Sequence, residues 1–182
     1  QLQAAATAQY KSYVDQQVGE LVTQTEAFAT AYKAGNDDEA RKLYAPTRVY
    51  WETIEPVAES FGDLDPRMDL READLEEGQE WTGWHQMEKL LLPPAASTEI
   101  DTPEQRAAMA DRLVADTKEL EQKANAITFK ADQMGNGAKE LLDEVATGKV
   151  TGEEEKWSHT DLWDFQANVD GARLAYQALR PI

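Results

Sequence analysis

The chain has 182 residues, with 18 Lys plus Arg against 35 Asp plus Glu, a formal net charge of -17, no Cys and two His. That length suits one domain able to bury a real core, and the missing cysteines exclude a disulfide scaffold, a thiolate zinc finger and a thiol-dependent enzyme. Strong acidity opposes nucleic acid or an anionic membrane as partner, because phosphates are held by Lys and Arg, and favours a cationic one.

Apolar residues at Tyr10, Tyr13, Val14, Val18, Leu21, Val22, Phe28 and Tyr32 recur in steps of three and four, which predicts one helix from about Ala4 to Ala34. At ~1.5 Å per residue it would be some 45 Å long, suiting an elongated bundle. Gly35-Asn36 ends it, and Asp37 caps a short helix carrying Ala40, Leu43 and Tyr44. Pro46 fits the first turn of a further helix with Val49, Tyr50, Ile54, Val57, Ala58 and Phe61 on its apolar face. Pro56 lies inside that helix and should bend it beside Glu52 and Glu55, since its ring removes the bond to the Glu52 carbonyl.

From Gly62 to Gly78 the string reads as a loop too acidic to bury, broken at Asp65-Pro66. Trp81 to Leu92 resumes a helix that Pro93-Pro94 stops. Thr102 as N-cap with Pro103 and Glu104 behind it starts another, running through Leu113 and Leu120 to Ile127 before the Gly135-Asn136-Gly137 punctuation. Leu141, Leu142 and Val145 sit on a helix ending near Gly148, and Asp161 to Leu179 forms the last. No run alternates with period two, so the predicted class is all-α, an elongated four-helix-type bundle in a single domain over residues 1–182. No stretch approaches the ~18 consecutive apolar residues of a membrane span. Gln1 to Thr7 lack a signal-peptide layout, and a start without Met fits a processed or trimmed product.

The chemistry concentrates between Glu52 and Glu80, where 11 acids face two bases, Arg67 and Arg71. Glu52, Glu55 and Glu59 fall at i, i+3, i+7 and repel unless a cation joins them; a solvated acidic face is the plain alternative. His85 and Glu88 lie three apart on one helix, close enough to hold one ion, beside an apolar wall of Trp81, Trp84, Met87, Leu90 and Leu91. A lone HxxE is frequent by chance, and a structurally hydrogen-bonded histidine is the commoner case. Asp161, Asp164 and Asn168 share another face, with Asp161 equally suited to a helix N-terminus. His159 next to them is either an orienting group for a ligand or a pH-sensitive surface residue. Carboxylates with one imidazole suit iron, manganese or zinc.

Three motifs fail. HExxH needs Glu where Gln86 stands. A ferritin-like site needs two Glu-x-x-His pairs, but Thr82 and Lys156 occupy the Glu positions. An EF-hand from Asp63 fails at Arg67 and Met68.

Five ordered blocks carry a family resemblance: Tyr44-Ala45-Pro46-Thr47-Arg48; Trp51-Glu52-Thr53-Ile54-Glu55-Pro56 through Asp65-Pro66; Asp69 with Arg71-Glu72; Thr82-Gly83-Trp84-His85-Gln86-Met87-Glu88-Lys89; and Thr151-Gly152-Glu153-Glu154-Glu155 leading to Ser158-His159-Thr160-Asp161-Leu162. Over roughly Leu43 to Pro181 the chain resembles the imelysin-like family, on the side of its EfeO-type iron-uptake members, without the cupredoxin-like domain that precedes this module in some relatives. Family domains usually continue past a point like Leu179-Arg180-Pro181, so a bundle cut short at its C-terminal end is expected.

The resemblance implies a helical bundle at the periplasmic or extracellular face of the cytoplasmic membrane, not itself membrane-spanning, with a lipid-anchored precursor as one form. It implies an EfeB-like haem peroxidase and an EfeU-like iron permease as partners. Carried over by motif, the metal-site candidates are His85, Glu88, Glu52 and Glu55, with Asp69 weaker; Glu59, His159, Asp161 and Asp164 are second-line. The leading expectation is a non-enzymatic protein that captures Fe2+ or Fe3+, with zinc or manganese as surrogate, at a solvent-reachable carboxylate/His site and passes it to the permease. An imelysin-like metallopeptidase using Glu55 or Glu59 as base is the alternative, and an acidic helical adaptor without a metal site is the third reading.

Overall fold

Leu2–Lys33 forms a single helix, α1, whose buried face carries Tyr10, Val14, Val18, Leu21, Phe28 and Tyr32. The computed structural model describes residues 1–92 and 101–182. After α1 come α2 (Asp37–Glu52), a 3-10 turn (Glu55–Phe61), α3 (Leu64–Asp69), a 3-10 turn (Glu72–Asp74), α4 (Trp84–Leu91), α5 (Pro103–Ala126), α6 (Ala131–Thr147), a 3-10 turn (Lys149–Thr151) and α7 (Asp161–Leu179). The all-α bundle anticipated from the periodicity is the fold. In it α1 packs along α2, α5 and α7, while α7 also packs on α2 and α6. An aromatic group of Phe28, Tyr44 and Trp84 joins α1, α2 and α4 at ring separations of 5.0 to 6.2 Å. Among the described residues, no helix is long and apolar enough to cross a membrane.

Several boundaries differ from expectation, each for a local reason. Pro46 starts no new helix; it sits inside α2, where both it and Lys42 are exposed, so the Lys42 carbonyl that it leaves unpaired borders solvent. Pro56 does not kink an α-helix either. The α-helix ends at Glu52, and Pro56 opens the following 3-10 turn. The Glu52 carbonyl it would have denied a partner accepts instead from Asn168 Nδ2 of α7 at 3.0 Å.

The acidic stretch after Gly62 is not all loop. Leu64 and Met68 are fully buried and fold 64–69 into α3, with Asp65-Pro66 in its first turn, where a missing N–H costs nothing. Helix α4 begins at Trp84, three residues later than expected; the stop assigned to Pro93-Pro94 lies outside the described residues.

Thr102 caps α5 as anticipated, in a reciprocal capping box with Gln105. Gly135 and Gly137 do not end a helix but lie within α6. For Gly137 the reason is close approach. A Cβ on Gly137 would strike the Pro56 carbonyl oxygen, and one on Gly171 of α7 would strike that of Thr53. The turn carrying Glu55 is thus clasped between two helix backbones that only glycine lets approach so closely.

Candidate metal centre

Tyr44, Arg48 and Glu52 follow one another at four-residue spacing on the buried face of α2. The guanidinium of Arg48 is fully buried and organises the site. Its Nε donates to Glu155 Oε1, one Nη to Asp69 Oδ1 at the end of α3, and the other to Glu52 Oε1, each at 2.5 Å. Asp164 Oδ2 of α7 lies 3.7 Å from the same guanidinium. The second oxygen of Asp69 accepts from Trp51 Nε1 at 2.9 Å. The fork geometry of arginine, with donors fixed in a plane, lets one cation serve three carboxylates on three chain segments.

On one side of Arg48 stands His85. Its Nδ1 lies 3.1 Å from Glu88 Oε2, and Glu88 Oε1 accepts the backbone N–H groups of Trp157 and Ser158 at 3.0 and 2.7 Å. The other ring nitrogen, Nε2, is buried without a hydrogen bond, yet faces Asp69 Oδ1 at 3.3 Å and Glu154 Oε1 at 3.5 Å. Glu155 joins the cluster through Tyr44 Oη at 2.9 Å and Ser158 Oγ at 3.0 Å. Two sets of side chains bring potential ligand atoms within 4.8 Å of one another: Asp69, His85 and Glu154, and His85, Glu88 and Glu155. Donor atoms each ~2.1 Å from one ion are about 3.0 Å apart at octahedral angles and about 3.4 Å at tetrahedral ones. The separations at Nε2 fall close to that range.

On the other side of Arg48, Glu52 and Glu55 share a different cation. Lys149 Nζ contacts Glu55 at 2.9 and 3.0 Å, Asn168 Oδ1 at 3.0 Å and Glu52 Oε2 at 3.5 Å. Asn168 Nδ2 donates to both carboxylates, at 2.8 and 2.7 Å. The cation that the spacing of these glutamates called for is therefore supplied by the chain itself. Among the described residues, neither glutamate joins a potential ligand set with His85.

The charges respond to this layout. Burial would raise the Glu52 carboxyl, but Lys149 and Arg48 overcome it and hold the pKa below its ordinary value. Burial and then the neighbouring Glu52 push Glu55 well up, so that pair shares its charge unequally. Asp164, neither of whose buried oxygens has a hydrogen bond, is pushed well up by burial and by Glu52. For His85, burial and Arg48 oppose the charged ring, yet the carboxylates of Asp69, Glu154 and Glu88 beside it win and raise its pKa well above the ordinary value.

The remaining candidates fall outside the cluster. Glu59 is exposed and lines a cleft of about 380 Å³ with Glu55, Asp65, Glu140 and Glu144. His159 is exposed in left-handed backbone at φ 57°, and its N–H donates to the Glu155 carbonyl. Asp161 Oδ1 accepts the Glu155 N–H at 3.0 Å and so fixes the turn behind Glu155. The expected solvent access is contradicted: His85 is 1% exposed, and Glu88 and Glu155 are 0%. Apolar packing of α4 against Phe28 and Tyr44, through Trp84, closes the cluster from within. Four participants escaped the sequence reading. Arg48, Glu154 and Glu155 stood in the resemblance blocks without a role, and Lys149 carried no signal at all.

A buried imidazole among carboxylates, in a described fold made only of helices, defines a helical domain with a candidate site for a hard or borderline cation. The chain belongs to the imelysin family (peptidase M75), which it matches over residues 6–182. It is 47% identical over 178 residues to the iron uptake system component EfeO of Yersinia pestis, covering 96% of this chain and 46% of that protein. Iron uptake system component EfeM of Pseudomonas syringae pv. syringae is 43% identical over 175 residues, covering 94% of this chain and 59% of that protein. An Efem/EfeO family lipoprotein of Staphylococcus aureus is 43% identical over 180 residues, 97% and 62% respectively. The chain thus spans about half the length of the Yersinia relatives it matches.

Proposed function

We propose that this domain captures iron at His85, with Asp69 and Glu154 as carboxylate ligands, and hands it on within an Efe-type uptake system. The observation that carries the reading is the buried Nε2 of His85, which lacks a hydrogen bond and faces two carboxylate oxygens. Glu88 holds Nδ1 and is itself held by two backbone amides, so it sets the ring's tautomer and aim. Glu155 stands by as a further oxygen donor of the adjoining set. Glu52 and Glu55, bound by Lys149, support the site and do not ligate. Oxygen-rich ligation with one imidazole suits Fe2+, Fe3+, Mn2+ or Zn2+.

Delivery to an EfeU-like permease, cooperation with an EfeB-like haem peroxidase, and a place at the outer face of the cytoplasmic membrane belong to the same proposal. The iron-uptake and lipoprotein names of the relatives support it. Calorimetric titration of Fe2+ under anaerobic conditions tests the site. Wild type should bind, while His85→Ala and Glu154→Gln should each weaken binding by at least ~10-fold. Equal affinity in all three proteins refutes the assignment. A casein cleavage assay runs alongside. Metal-dependent cleavage abolished by His85→Ala would replace capture with peptidase chemistry.

A further inference from the structure

The ligands are buried, so some part of the chain must move before an ion enters or leaves. We infer that the connector between α6 and α7, residues 148–160, is a hinged strap over the site, latched by Lys149. The inference rests on the His85 reading, since it assigns how that site is reached.

The segment contributes at both of its ends. Near its start Lys149 Nζ is seated between Glu52, Glu55 and Asn168. Further along, Glu154 and Glu155 reach His85 and Arg48, and its backbone amides bind Glu88. The remaining groups around His85 belong to helices α2, α3 and α4, fixed by buried apolar residues. The strap has one large apolar contact, the half-buried Trp157 ring 6.0 Å from that of Trp81, and otherwise contributes little of that kind. Its first turn, Lys149–Thr151, buries nothing, and Val150 is 64% exposed. Polar contacts and that one ring contact hold it down, so it can lift at low cost in apolar burial. Gly148 and Gly152 flank the latch, Gly152 in left-handed backbone at φ 77°, which places permissive backbone on either side of Lys149. Lifting would carry Glu154 and Glu155 away from His85 and leave Asp69 and the ring facing water. Seating again would return both glutamates to the cluster.

Amide hydrogen exchange of the metal-free full chain provides the test. In wild type, residues 154–159 should exchange through an opening that leaves α2, α4 and α7 protected. The variant Lys149→Met/Glu55→Gln removes the latch without stranding a charged Glu55, and should raise that exchange ~10-fold or more. Lys149→Arg, which keeps the cation, should stay nearer wild type. Exchange of 154–159 only at the rate of the helices, an unchanged rate in the double variant, or fastest opening in residues 70–83 would each overturn the strap. Because no metal is present, this result stands apart from the iron titration: a chain that binds no iron but opens in this way refutes the site and keeps the latch. Saturating Zn2+ should slow the exchange of 154–159 wherever the titration shows binding, and unchanged exchange in bound protein would sever the strap from the site.

Discussion

Arg48 Nε donates to Glu155 Oε1 at 2.5 Å, and both side chains are fully buried, so one ion pair ties the middle of α2 to the connector ahead of α7. The same guanidinium serves Asp69 and Glu52. Arg48→Met therefore strands several carboxylates at once and should cost about 3–5 kcal/mol, read from urea midpoints at pH 7. Arg48→Lys should recover less than half, because one ammonium cannot reproduce the planar fork. Asp69 and Glu52 are both held below their ordinary pKa values against burial, Asp69 chiefly by Arg48 and Glu52 by Lys149 and then Arg48. The stability they lend is present above the ordinary carboxylate range and is lost as pH falls beneath it. The gap between wild type and Arg48→Met should accordingly narrow below about pH 4.

Metal binding should release protons. The carboxylates facing His85 favour its charged ring and raise its pKa, so an ion binding at Nε2 competes with a proton. Calorimetry in two buffers of different ionisation enthalpy should report net proton release on binding, larger at pH 6 than at pH 8. Affinity should rise with pH. Release near zero at both pH values would mean that His85 is not the ligand.

Asp65, in the acidic cleft, is pushed up to about 7 by burial and by Asp69 and Glu52. A raised carboxyl makes the folded state bind the extra proton, so stability falls as pH climbs from the ordinary value of 3.8 through 7. Asp65→Asn should consequently stabilise the protein at pH 8, by on the order of 1 kcal/mol once solvent screening is allowed for. The gain should vanish near pH 4. Thermal melts at the two pH values check this.

Gly171→Ala places a methyl against the Thr53 carbonyl oxygen, a backbone atom that cannot swing aside. A loss of at least ~2 kcal/mol is expected. Gly19→Ala, at a half-buried position of α1 where the added carbon meets nothing within 4 Å, should raise stability by about 0.5–1 kcal/mol. The pair of melts separates close packing from helix propensity.

Apolar periodicity located α1, α5 and α7 to within a few residues, because each buries a long stripe that repeats every three or four positions. Punctuation residues misled. Pro46, Gly135 and Gly137 look like breaks along the chain, and only the third dimension shows that Pro46 faces solvent while Gly137 meets a neighbouring backbone. In the site, His85, Glu88 and Asp69 were legible from motif blocks, and the structure brings all three together. What the sequence concealed was the division of the acids by Arg48. Glu52 and Glu55 carry the same spacing signal whether their cation is a metal or a lysine 94 to 97 positions away, and no local pattern distinguishes the two.

Lys149 and Glu154 are anchored to different partners with only four residues between them. That stretch acts as a ruler. A chain one residue longer there would bulge over Gly152 and keep both anchors only by slackening, whereas one residue shorter would have to surrender either the ammonium seat or the imidazole's second carboxylate.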